Sequence, residues 1–139
     1  MKNKKTNILF VCKYNRFRSK IAEAYFNKIN KNKLVSVKSA GIIRGNPVSK
    51  DIIAVAKALG IVVKGNPKTI SSKVLSKTDL IVIVADDDVP HSFFTHEGKY
   101  IQKVIHWKIK DSRSDNKTLV TSIIKQIKYN VEILVNQLR

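Results

Sequence analysis

"ILFVCKYNRFRSKIAEAYF", residues 8–26, is the stretch that decides the fold. It opens with four apolar β-formers and, from Ser19 to Asn30, places Ile21, Ala22, Tyr25, Phe26 and Ile29 at helical spacing. The order is strand, tight loop, helix. The only cysteine of the chain, Cys12, stands at the start of the loop, and Arg16, Arg18 and Ser19 follow within seven residues.

Outward from that unit the pattern repeats. "KLVSVKSAG" (33–41) alternates and stops at Gly41, a second strand followed by a turn. "VSKDIIAVAKALG" (48–60) is a helix with Ser49 as its cap and Gly60 at its end. The triplet "GNP" occurs at 45–47 and 65–67, and the segment from Gly65 to Asp79 reads as a loop carrying a short helix. "DLIVIVA" (79–85) is a continuous apolar run, as in a strand buried on both faces of a parallel sheet. "KVIHW" (103–107) supplies a fourth strand. From Lys117 to Leu138, Val120, Ile123, Ile124, Ile127, Val131, Leu134, Val135 and Leu138 form one stripe of a long helix. The class expected is α/β: a three-layer sandwich with a four-stranded, mostly parallel sheet, in one domain spanning 1–139.

At 139 residues and 43% apolar content the chain is long enough for a sizeable core. No apolar run approaches a membrane span and the basic start lacks a cleavage site, so a cytoplasmic protein without membrane partners is expected. The 27 Lys and Arg against 10 Asp and Glu give a net charge of +17. Most of this excess is scattered lysine, without the clustered arginine and interleaved aromatics of a nucleic-acid surface. Nucleic acid is therefore not expected as the main partner. A lone cysteine makes no internal disulfide, and no Cys/His spacing suits a metal. Nothing in the pattern specifies an oligomeric state.

Ligands of such sheets sit at the carboxyl ends of strands, and a loop running into a helix N-terminus favours an anion. That environment, with guanidinium groups nearby, stabilises a thiolate. The five residues from Lys13 to Phe17 suffice to wrap an oxyanion, with Arg18 closing the ring and Ser19 donating toward the sulfur. The competing structure is a buried, inert cysteine with Arg16 and Arg18 as surface charges.

The stretch resembles the start of the low-molecular-weight protein tyrosine phosphatases, whose fold also carries certain arsenate reductases and protein-arginine phosphatases. Cysteine, five residues, arginine and serine fall on Cys12, Arg18 and Ser19; the family's loop asparagine falls on Asn15, and "AEA" on Ala22 to Ala24. "SAG" (39–41), the following "GNPV" and the buried strand near residue 80 extend the resemblance over nearly the whole chain. It implies that Cys12 attacks phosphorus to form a phosphocysteine, and that Lys13, Tyr14, Asn15, Arg16, Phe17 and Ser19 build the substrate-binding loop. Arg18 holds the equatorial oxygens, Asn15 shapes the loop, and Ser39 is either part of a supporting network or a plain strand-end serine. The substrate implied is a phosphorylated protein or a small phosphomonoester, with no cofactor and no metal.

The family's acid is an aspartate after the fourth strand, usually followed by proline. Asp111 stands there, with Ser112 in place of the proline and Asp115 as a rival. Tyr14 occupies a position that is often glycine, and Phe17 one that is frequently a second cysteine. Arg16 either adds positive potential for the substrate or points into solvent. Asp88 in "ADDDVP" is expected to cap a short helix. His91, His96 and His106 are expected at the surface or in packing, and Trp107 near the sheet edge. Competing functions are arsenate reduction with an external thiol, a protein-arginine phosphatase, and a non-catalytic phosphate-binding module.

Overall fold

The computed structural model describes residues 4–96, 99–100 and 103–138. In chain order the elements are β1 (Thr6–Cys12), α1 (Arg18–Ile29), β2 (Val35–Gly41), α2 (Lys50–Ala58), α3 (Ser72–Ser76), β3 (Leu80–Val84) and a 3-10 turn (His91–Phe94). A two-residue pair, β4 (Thr95–His96) with β5 (Lys99–Tyr100), then precedes β6 (Lys103–Trp107) and α4 (Lys117–Gln137). The main sheet has the order β2-β1-β3-β6, and every pairing in it is parallel.

Central position explains the composition of its strands. All five residues of β3 are buried, which only apolar side chains tolerate on both faces. β2, at an edge, buries Val35, Val37 and Ser39 and exposes Ser36 and Lys38. On one face Phe10 packs its ring 6.0 Å from Phe26 and 5.7 Å from Trp107, under α1, α2 and α4. On the other face Leu9, Val11, Ile81 and Ile83 meet Val89, Phe94 and the partly buried Val74 and Leu75 of α3. Three layers result, and each fully buried Ile or Phe contributes about 1.5–3 kcal/mol.

The α4 stripe is buried as expected from Val120 to Val135, with Leu138 half-buried at its end. α2 is shorter than its apolar pattern: Ser49 stays extended and accepts from the Ile52 N–H, while Gly60 takes φ +82 after the last turn. Among the described residues no helix is long and apolar enough to cross a membrane.

Register places the site. Cys12 pairs with Gly41 and Val11 with both Ala40 and Ile83, so β1, β2 and β3 end nearly level and their loops converge. Gly41 allows the closest approach. A Cβ there would lie 2.7 Å from the Tyr14 carbonyl carbon and 2.8 Å from the Asn15 nitrogen.

Candidate active site

Asn15 organises the loop between β1 and α1. Its backbone takes φ +52, the one positive φ outside glycine among the described residues, in a conformation asparagine tolerates. Its side chain is fully buried and spends every polar atom. Nδ2 donates to Ser19 Oγ at 2.8 Å and to Ser39 Oγ at 2.9 Å, while Oδ1 accepts from the Lys68 N–H at 2.9 Å. The Ser39 hydroxyl in turn donates a hydrogen bond to Glu23 Oε1, 2.6 Å away. Ser19 Oγ lies 2.9 Å from Cys12 Sγ, and toward a thiolate it is the hydroxyl that donates.

α1 begins differently from its neighbours. α2, α3 and α4 are capped by the side chains of Ser49, Ser71 and Asn116, whereas Phe17 at the head of α1 provides no cap. The first N–H groups of α1 thus have no side-chain acceptor at the end where an anion is favoured. The Phe17 ring is 3% exposed and belongs to the core. The side chains of Phe17 and Asn15 therefore support the loop, in keeping with the loop-shaping role expected of Asn15, and their backbones are what remains to meet a ligand. Lys13 and Tyr14 are half-buried, the ammonium of one 5.2 Å from the ring of the other. Tyr14 does not need the backbone freedom of glycine, since its φ is not positive. Arg16 is half-buried: Nη2 donates to the Pro47 carbonyl at 3.3 Å, and among the described residues its buried Nε has no hydrogen-bond partner.

Arg18 is 1% exposed. Nη2 lies 2.6 Å from Asp88 Oδ2, and Nη1 donates to Asp88 Oδ1 at 3.3 Å and to the Ile109 carbonyl at 2.9 Å. Asp111 Oδ2 stands 3.6 Å from Nη2. Burial opposes the charge of Arg18, but the Asp88 bond and the charges of Cys12, Asp111 and Asp88 outweigh it and raise the pKa. For Asp88, burial pushes upward, and Arg18 more than reverses that, holding the carboxyl below its usual range.

Asp88 is therefore no helix cap. The turn after it has Pro90 at its cap position, with no side-chain cap, and the Asp88 carboxylate is engaged by the buried guanidinium instead. Asp111 is brought to Arg18, and its Oδ1 accepts from the Ser112 N–H at 2.9 Å, a bond that proline could not make. Asp115 instead pairs with Arg113 at 3.0 Å, both well exposed. His106 stacks on His91 with ring centroids 4.6 Å apart and places Nε2 2.6 Å from the Ala85 carbonyl, a packing role. The side chain of His96 lies outside the described residues. Trp107 sits on the edge strand β6, against Phe10.

Two participants escaped the sequence pattern. Glu23 lies four residues after Ser19 on the same helix, a spacing that places it beside the loop. Asp88 follows the carboxyl end of a central strand, where ligands and their supports gather.

A buried cysteine at a strand end, an uncapped helix start and a guanidinium between two carboxylates thus converge at the carboxyl ends of a doubly covered parallel sheet. The family model for low molecular weight phosphotyrosine protein phosphatase matches residues 7–139, and the chain belongs to that family. An arsenate reductase from Archaeoglobus fulgidus is 26% identical, with a TM-score of 0.74 over 93% of this chain and 98% of that one. A low-molecular-weight protein tyrosine phosphatase from T. tengcongensis, 22% identical, gives 0.82 over 96% and 99%. The YwlE arginine phosphatase from Geobacillus stearothermophilus, 19% identical, gives 0.74 over 96% and 92%. No curated protein matched the sequence.

Proposed function

We propose that the protein is a cysteine-dependent phosphatase that hydrolyses phosphotyrosine or a related phosphorylated residue through a phosphocysteine. The observation that carries this is the meeting of Arg18 with Asp111 at 3.6 Å, beside a loop whose cysteine is hydrogen-bonded to Ser19.

Cys12 Sγ attacks phosphorus, and the ester P–O bond breaks as the S–P bond forms. The proton of the Asp111 carboxyl goes to the departing oxygen. The resulting carboxylate then takes a proton from water, whose oxygen attacks phosphorus; the S–P bond breaks, releasing inorganic phosphate and restoring the thiolate. Arg18 and the loop N–H groups offset the charge on the equatorial oxygens. Asp111 is half-exposed, so it can exchange its proton with water between steps.

Arsenate reduction is the second function to weigh, supported by the Archaeoglobus neighbour's description as an arsenate reductase. With one cysteine in the chain, an external thiol must then reduce the cysteine–arsenate adduct. The test is aryl phosphate hydrolysis by the wild type and Cys12→Ser, alongside arsenate with glutathione and a phosphoarginine peptide. Wild-type hydrolysis that disappears with Cys12→Ser supports the phosphatase. Arsenate turnover without ester hydrolysis overturns it.

A further inference from the structure

Lys20 stands where a lysine is costly. It follows Ser19 in the first turn of α1 and is 4% exposed, yet among the described residues its ammonium makes no hydrogen bond and no ion pair within 4 Å. Buried ammonium groups are ordinarily paired, because desolvation removes the water that would hold the charge. Burial lowers the pKa of Lys20 and the charge of Lys68 adds to this, while the charges of Glu23 and Cys12 oppose it.

The ammonium faces a cleft of about 690 Å³, separate from the sulfur, whose lining includes Lys20, Glu23, Lys28, Lys64, Gly65 and Lys68. Gly65, at φ +87, passes over Lys20 so closely that a Cβ on it would lie 3.4 Å from Nζ. Four ammonium groups thus share one carboxylate. One oxygen of that carboxylate, Glu23 Oε1, already accepts from Ser39, and Lys28 donates to the Gly60 carbonyl. Lys20, Lys64 and Lys68 still outnumber the negative charge that acts on Lys20, which comes from Glu23 and Cys12.

We propose that this cleft is a second anion site, which takes a phosphate-type dianionic oxyanion against Lys20 with Lys64 and Lys68 at its rim. Exposed lysines alone would form a solvated face, but the buried and unpartnered Lys20 turns this face into a site short of its counter-charge. Four ammonium groups exclude a cation, and a dianion suits several point-charge donors. The site adjoins the catalytic loop, because the Lys68 N–H holds Asn15.

The test is a titration of the wild type with inorganic phosphate, followed by amide NMR. Two saturable events are expected, one on residues 13–18 and one on Gly65 and Lys68, with different midpoints. Lys20→Met should weaken the second at least tenfold while the first persists, which also shows that the variant is folded; the Lys64→Met, Lys68→Met double variant provides the same readout with Lys20 intact. A single event shared by loop and cleft overturns the site. So does a cleft event that Lys20→Met and the double variant leave unchanged, since an anion held by scattered surface lysines is an adventitious ion only. No turnover enters this measurement, so its failure is distinct from that of the phosphatase.

Discussion

The two halves of the site are built in opposite ways. In the nucleophile loop, residues 12–19, five of eight side chains are buried, and Asn15 joins the loop to α1, β2 and the segment at Lys68. In the acid segment, residues 108–116, Ile109 alone is buried, and Asp111 is held by its own neighbour's N–H and by Arg18 at 3.6 Å. Under the proposed function, rigidity is concentrated where an anion would be surrounded at fixed distances. Asp111, the proposed acid, is left the freedom to exchange protons. Arg18 spans both halves, with its guanidinium shared between Asp88 and the acid segment.

The sharpest way to break this comparison is at the acid. Asp111→Asn should lower kcat for an aryl phosphate by about 10²–10⁴-fold, with the loss growing as the leaving group becomes more basic. Asp115→Asn should change kcat by no more than about twofold, since an exposed pair with Arg113 contributes little. Steady-state rates over a series of leaving groups check both, and equal losses would show that the acid segment does not hold one defined acid.

A smaller effect is expected at the shared arginine. Asp88→Asn should reduce kcat/KM by about 10- to 100-fold through misplacement of the guanidinium fork. Stability should respond too. The folded-state pKa of Asp88 is depressed, so its contribution is present above the carboxylate's unfolded value of about 4 and is lost as pH falls through the lower folded value. Acid unfolding followed by circular dichroism should show a shallower stability loss below pH ~4 in the asparagine variant.

The loop was far more legible in the sequence than the acid segment, and the reason is the range of the interactions. Cys12, Asn15, Arg18 and Ser19 lie within eight residues, so strand ending, loop length and helix start fix their mutual placement. Asp88 joins Arg18 across 70 positions, and Glu23 joins Ser39 across 16 and two elements. Such pairs leave no local period. Phe17 lies inside the loop, and nothing in its local sequence shows that its ring goes into the core.

A substitution beside the acid sharpens the comparison. Ser112→Pro restores rigidity but removes the N–H that holds Asp111 Oδ1. The two changes oppose each other, so kcat should move by less than about tenfold. A larger fall, measured on the same aryl phosphate, would mean that the Ser112 N–H, and not chain stiffness, aims the acid.

By itself the sequence determined the alternation of strands and helices, the long buried face of α4 and the cysteine-to-arginine loop. Each rests on contacts between residues near in the chain or on a periodic apolar pattern. Only the tertiary structure decided which carboxylates meet Arg18, that Arg16 turns toward Pro47, and that Lys20 is buried without a hydrogen bond among the described residues. Those outcomes depend on strand order and register, which bring distant segments within hydrogen-bond reach and determine which charges lose their water.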